Sequence, residues 1–318
     1  MIKDPAPVVL FVYNRPGHTI QTLEALSQNR NAYKSTLYIF SDGPKADANV
    51  EEHTRIEQVR QVIRLKQWCK EVIIRESDDN IGLADSIVNG VTEVVTKHNK
   101  VIVLEDDVIT STGFLEFMND ALDLYEEEEK VMHISGYMYP HEKDLPETFF
   151  FNVPYPGGGW ATWYRAWKNF QNDTEYLYNY FNTAKGWWKF NKYGGDYLQK
   201  QLKSNLIGDL KTWFIKWHAT LLIEKGFTLY PGNSLTNNIG FDASGSHCSV
   251  MNKFDIEILV TKIEVKKIPI VESKLAQKVV LRFYQGQFSI KKLVYSILLR
   301  FIKKESLQKI KNRMLYHT

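Results

Sequence analysis

The sequence predicts an α/β fold built on a mostly parallel sheet flanked by helices, and three observations carry that expectation. Short apolar runs alternate with helical periodicity through the first 130 residues. The runs are filled almost continuously with β-branched and aromatic residues, as strands covered on both faces are. Each run also ends in a polar motif, the pattern of βα units whose strands all point the same way.

The first predicted strand is Val8–Tyr13, ending in Asn14-Arg15-Pro16 and followed by helical periodicity over 17–29. The second, Thr36–Phe40, runs into Ser41-Asp42-Gly43 and a helix over 48–66. The third, Glu71–Arg75, leads to Ser77-Asp78-Asp79-Asn80 and a helix over 82–97. The fourth, Lys100–Leu104, ends in Glu105-Asp106-Asp107, with a helix over 111–127 that the hydroxyls of Thr110 and Ser111 can cap. Beyond residue 130 the pattern changes to strands such as Val131–Ser135 and Thr148–Asn152, a glycine-rich loop Tyr155–Trp160, and an amphipathic helix Thr212–Glu224. Three parts follow: an α/β half over 1–130, a second half of the same domain over 131–277, and a basic amphipathic tail over 278–318.

With 44 % hydrophobic and 24 % charged residues, the 318-residue chain can bury a large core. Residues 278–318 hold ten Lys/Arg against one acid, Glu305, so the net +3 conceals a mildly acidic body. That distribution excludes a general nucleic-acid binder. In the tail, Ile290, Leu293, Val294, Ile297, Leu298 and Phe301 form one apolar helical face among Lys291, Lys292, Arg300, Lys303 and Lys304. Such a helix suits an anionic membrane surface or docks on the body. The N-terminal residues lack the pattern of a secretory signal, and Cys69 and Cys248 are too few for a disulfide framework. The expected compartment is the cytoplasm, with peripheral attachment to the inner face of the membrane through the tail.

In open parallel sheets ligands bind outside the carboxyl ends of the strands, so the four polar motifs are expected to wall one crevice. Carboxylates delivered to that edge by Glu105-Asp106-Asp107 need a cation or hydrogen-bond donors. Mg²⁺ or Mn²⁺ suits such hard oxygens and would bridge them to phosphates; the plainer alternative is a helix cap. Asp42 is either an Asp-Gly turn residue or the acceptor for a base N–H, Arg15 a phosphate ligand or its brace, and Asn80 a ligand contact or a simple cap. The glycines 157–159 let backbone approach a ligand, with Trp160, Trp163 and Trp167 as a sugar-stacking wall or, at their helical spacing, as core. Asp209 either caps the helix after it or acts as general base. His247, in the Gly240–Cys248 loop, is a surface residue or a further metal or diphosphate ligand.

Taken together, Val12–Pro16, Ser41-Asp42-Gly43, Asn80-Ile81-Gly82-Leu83, Val103–Val108, Pro156–Trp160 and the region 209–248 make residues 7–250 resemble the GT-A glycosyltransferases, in particular bacterial relatives of the N-acetylglucosaminyltransferase I family. The resemblance implies a donor half over 1–130 and an acceptor and catalytic half over 131–277. It implies that Asp107 is the direct metal ligand, that Glu105 and Asp106 contact the nucleotide or support that ligand, and that Arg15 and Asp42 hold the nucleotide. Asp209 corresponds to the catalytic base, although the family's paired acids beside tryptophan are not reproduced here and Asp242 competes. An inverting transfer from a UDP-linked or other nucleoside-diphosphate sugar to a glycan or glycolipid acceptor follows, in the setting of bacterial surface polysaccharide or lipopolysaccharide. The competing classes are a sugar-phosphate nucleotidyltransferase, for which the phosphate loop after the first strand is missing, and a catalytically silent carbohydrate-binding protein.

Overall fold

The computed structural model describes residues 4–154, 158–193, 195–240, 242, 256–259 and 262–285. The first half runs β1 (Val8–Val12), α1 (Pro16–Ser27), β2 (Thr36–Ser41), α2 (Val50–Val62), β3 (Glu71–Glu76), α3 (Leu83–His98) and β4 (Lys100–Glu105). It continues with a short β5 (Val108–Thr110), α4 (Phe114–Leu124), β6 (Val131–Ser135), β7 (Thr148–Phe151), β8 (Trp160–Trp163) and α5 (Tyr164–Trp167). Then come α6 (Thr174–Phe181), α7 (Ala184–Phe190), α8 (Asp196–Leu206), α9 (Phe214–Glu224), β9 (Phe227–Pro231), β10 (Thr236–Asn238) and α10 (Lys274–Gln285).

Among the described residues the main sheet has eight strands in the order β3-β2-β1-β4-β8-β6-β9-β7. β1, β2, β3 and β4 are parallel, as predicted, while β8 and β7 run against their neighbours. The α/β class is therefore observed. The expected boundary at 130 falls within this one sheet. Alternate residues of β1 enter two separate cores. Val8, Leu10 and Val12 pack with Leu23 and Leu26 of α1, Val59 of α2 and Phe114 of α4. Val9 and Phe11 pack with Ile87, Val91 and Val94 of α3. Both faces of a central parallel strand are covered, which is why its sequence shows no polar alternation.

Two local expectations change. α4 begins at Phe114 after Gly113, with no side-chain cap, because Val108–Thr110 forms β5 and pairs antiparallel with Thr236–Asn238. Thr110 is thus the last residue of a strand, and Ser111 meets the helix through its carbonyl, which accepts the Phe114 N–H at 3.1 Å. Tryptophans 160 and 163 lie on β8, between β4 and β6, and not on a helix. The predicted tail boundary at 278 falls inside α10, whose Ala276, Val279 and Val280 pack against Tyr139, Phe149 and Tyr230. This start of the tail docks on the body; the amphipathic stretch 290–301 lies outside the described residues. Among the described residues, no helix is long and apolar enough to cross a membrane.

Candidate active site

β1 has β2 on one side and β4 on the other, and the connections α1 and α2 pass over one face of the sheet while α3, which leads into β4, passes over the other. A crevice forms at such a switch point without further design. Phe11 of β1 lies in register with Glu105 of β4, so Arg15 and Asp106-Asp107 emerge side by side. The Arg15 guanidinium closes the gap. Its Nη2 donates to Asp106 Oδ1 and, at 2.9 Å, to Asp107 Oδ2, while Nε donates to Asp106 Oδ2 at 3.3 Å. The Thr22 hydroxyl of α1 fixes the Asp106 carbonyl at 2.8 Å.

The β5–β10 ribbon supplies the other wall. Asn238 pairs with Val108, and this places Asn238 Nδ2 3.2 Å from Asp107 Oδ1 and the Ile239 N–H 2.9 Å from the Asp107 carbonyl. Gly240 follows, its N–H held by Asn238 Oδ1 at 2.8 Å. A Cβ at position 240 would stand 2.1 Å from Asp107 Oδ2 and 3.0 Å from Arg15 Nη1, so the close approach demands glycine. Two residues on, Asp242 Oδ2 lies 3.2 Å from Nε2 of His18, in the first turn of α1.

Two aspartates thus share one guanidinium, with the Glu105 carboxyl beside them. Burial, reinforced by the charges of Asp107 and Asp106, pushes the Glu105 carboxyl up to about 8. Burial also raises Asp106, to about 6, against the pull of Arg15. For Arg15, burial works against the charge, but Asp106 and Asp107 outweigh it and hold the guanidinium above its ordinary value. The cluster carries more negative charge than its own donors neutralise.

Among the described residues no group of three or more His, Cys, Asp or Glu side chains is arranged to hold a metal by itself. The donor chemistry nevertheless fits Mg²⁺ or Mn²⁺. Mg²⁺ in particular is usually held by one or two carboxylates, with phosphates and waters completing its shell. His247 lies outside the described residues.

The other predicted residues fare differently. Asp42 is buried, and its carboxylate is saturated by the chain: Oδ1 accepts from the Gly43 and Ile81 N–H groups at 3.0 and 2.9 Å, and Oδ2 from the Gly82 N–H and Asn80 Nδ2 at 2.9 and 3.0 Å. It is a joint between the end of β2 and the start of α3, so the expected contact to a base has no acceptor left. Asn80 belongs to the same joint, donating also to the Gly43 carbonyl at 3.0 Å; the α3 cap is Gly82, at φ 79°.

Trp160 is 1 % exposed, stacked between His133 and Trp213 with ring centroids 5.2 and 5.1 Å away. A ring held in that stack presents no face to a sugar, which corrects the expected wall. Trp163 and Trp167 are core as well, their indole N–H groups bonded to Leu122 and Thr92. Asp209 is exposed, in the loop between α8 and α9. That loop is tied to the first turn of α3 by the Lys211–Asp85 ion pair. The candidate bases therefore stand toward opposite faces of the sheet, Asp242 on the α1 side and Asp209 on the α3 side.

Asn238, Gly240 and His18 were not anticipated. A three-residue strand carries no periodicity, and a histidine in a helical first turn carries no signal of its own.

No family model and no curated protein matches the sequence. Among solved structures, 42 % of the chain is similar to the mannosyltransferase PcManGT from Pyrobaculum calidifontis, a complex with GDP-Man and Mn²⁺, at 13 % identity and TM-score 0.32. A further similarity covers 45 % of the chain and S. aureus TarS, at 12 % identity and TM-score 0.30. The matches span 36 % and 23 % of those two chains, so the shared part is about a third and a quarter of their lengths.

Proposed function

We propose that the chain is a metal-dependent glycosyltransferase, moving a sugar from a nucleoside-diphosphate donor to a hydroxyl of a glycan or glycolipid acceptor with inversion. The observation that carries this reading is the Arg15-bridged Asp106–Asp107 pair at the switch point between β1 and β4, with Glu105 beside it and negative charge in excess. Such a cluster is suited to a divalent cation carrying a diphosphate.

When bound, Mg²⁺ or Mn²⁺ would be held by Asp107, with Asp106, Glu105 or His247 in support, and would neutralise charge on the departing diphosphate. Arg15 orients Asp106 and Asp107 and can itself donate hydrogen bonds to a phosphate once those carboxylates engage a cation. The backbone around Gly240 lies against Asp107.

In the transfer, the acceptor oxygen bonds to the anomeric carbon while the bond to the diphosphate oxygen breaks, and the leaving group takes the electron pair. The acceptor proton passes to a carboxylate at the rim. Asp209 is the proposed base and Asp242 the alternative. Asp209→Asn is expected to lower turnover by ~10²–10⁴-fold with donor affinity kept. A larger loss in Asp242→Asn moves the role to the α1 side.

A panel of nucleotide-sugars with Mn²⁺ or Mg²⁺, run on the parent and on Asp107→Ala, tests the whole reading. Cation-dependent release of nucleoside diphosphate from one donor, abolished in the variant, is the expected result. Equal turnover in both proteins would remove the metal site. Pyrophosphate release from a nucleoside triphosphate and a sugar phosphate would instead identify a nucleotidyltransferase.

A further inference from the structure

A nucleotide donor needs a residue that reads its base, and Asp42 has no acceptor to offer. The same strand ends hold another carboxylate, one that is only half spent. Glu52 is the third residue of α2 after the Asn49 cap, whose Oδ1 accepts the Glu52 N–H at 2.9 Å. A glutamate at this position commonly turns back to the N–H of the cap residue. Here its carboxylate reaches the end of β1 instead: Oε1 accepts from the Tyr13 hydroxyl at 2.7 Å and from Asn14 Nδ2 at 3.4 Å.

Both bonds fall on one oxygen, and a carboxylate offers about four acceptor positions over two. Tyr13, Asn14 and Glu52 are all half-buried. Tyr13 and Asn14 directly precede Arg15 in the chain, so the Glu52 group and the guanidinium that binds Asp106 and Asp107 are both anchored at the carboxyl end of β1. A nucleoside whose diphosphate lies at the β1–β4 switch point, and which extends along the strand ends toward β2, meets Asn14, Tyr13 and Glu52 next. On the far side the Asp42 joint is closed. A Cβ on Gly43 would stand 2.6 Å from the Asp78 carbonyl carbon, which leaves no room between those two loops.

We infer that Glu52, braced by Tyr13 and Asn14, reads the donor's base, its Oε2 accepting the ring N–H of a uracil, thymine or guanine. The inference rests on the proposed nucleotide-sugar chemistry. Adenine and cytosine present a ring nitrogen acceptor in place of that N–H, which a carboxylate repels. In Glu52→Gln the amide oxygen keeps the Tyr13 hydroxyl, and the amide nitrogen turns a donor toward the base. The preference then moves toward adenine and cytosine.

Calorimetric titration of the full-length chain with UDP, GDP, ADP and CDP in Mn²⁺ tests this, on the parent, Glu52→Gln and Asp42→Asn. The parent is expected to bind UDP or GDP best. Glu52→Gln is expected to lower the affinity ratio of that nucleotide to ADP or CDP by ~10-fold or more. Asp42→Asn is expected to cost melting temperature and leave the ratio alone. A brace with no contact to the base would change stability but not the ratio. An unchanged ratio in Glu52→Gln, with the parent binding nucleotides normally, overturns the inference and spares the proposed function. A ratio moved only by Asp42→Asn returns the role to Asp42 and also overturns it. A parent that binds none of the four overturns both.

Discussion

The ends of β2 and β4 both bury aspartates at the same edge of one sheet, and they treat them in opposite ways. Asp42 receives four donors within 3.0 Å, all from its own chain, so its hydrogen bonding is satisfied before any ligand arrives. Asp106 and Asp107 share Arg15, with Asn238 as a further donor to Asp107, and Glu105 adds a third carboxyl beside them. The first arrangement stabilises the fold. The second leaves charge for something else to neutralise, and a cluster that the fold itself does not satisfy is a better functional candidate than a satisfied one.

The largest expected consequence separates the two ends by activity. Asp107→Ala is expected to reduce cation-dependent donor turnover by about 10³-fold, the scale on which several kcal/mol of charge stabilisation is lost. Mn²⁺ that raises the parent's melting temperature should leave that of Asp107→Ala unchanged, because a ligand stabilises only the state that binds it. Asp42→Asn should retain the Mn²⁺ response. A thermal-shift series over all three proteins checks this, and a variant at position 42 that lost the response would erase the distinction.

The next effect is on stability. In Asp42→Asn, one acceptor oxygen becomes an amide that faces N–H donors, leaving buried donors without partners. The expected cost is about 3 kcal/mol in urea unfolding, since each unsatisfied buried group costs about 1–3 kcal/mol. A cost well under 1 kcal/mol would mean that water satisfies the joint and that Asp42 is freer than its hydrogen bonds imply.

Much of this was legible in the sequence, for physical reasons that differ by region. β1 to β4 are buried on both faces, so their apolar runs stand out, and their carboxyl ends could be named before any geometry was known. What the polar ends do could not be read. Asp42 and Asp107 follow equivalent strands, and the donors that distinguish them include Asn80 Nδ2 and the backbone N–H groups of Ile81 and Gly82, in a loop about forty residues away in sequence. The spacing of Trp160, Trp163 and Trp167 imitates a helix, yet the first two lie on β8 in the middle of the sheet. A strand covered on both faces need not alternate, so its pattern can coincide with a helical one. Asn238 reaches Asp107 through a ribbon of only three pairs, too short for any period to register.

The smallest expected effect is also the most direct measure of the charge left over at β4, because it has a sign. Glu105 is pushed up to about 8 from an ordinary 4.5, so between those values the folded chain holds a proton that the unfolded chain has released. The resulting stability is complete below about 4.5 and is lost as pH rises through about 8. Glu105→Gln stays neutral throughout. Without added divalent cation, parent and variant should unfold alike at pH 4.5, and the variant should be more stable at pH 8.5 by about 1–2 kcal/mol. That is less than the full shift because the neighbouring Asp106 carboxyl is raised as well and takes up part of the proton exchange. Asp42→Asn should lose stability at the same pH, so one kind of substitution, acid to amide, would act with opposite signs at two ends of one sheet. Saturating Mn²⁺ should remove the advantage of Glu105→Gln, since the cation neutralises the charge that the amide avoids. An advantage that persists in Mn²⁺ would show that the cation binds elsewhere.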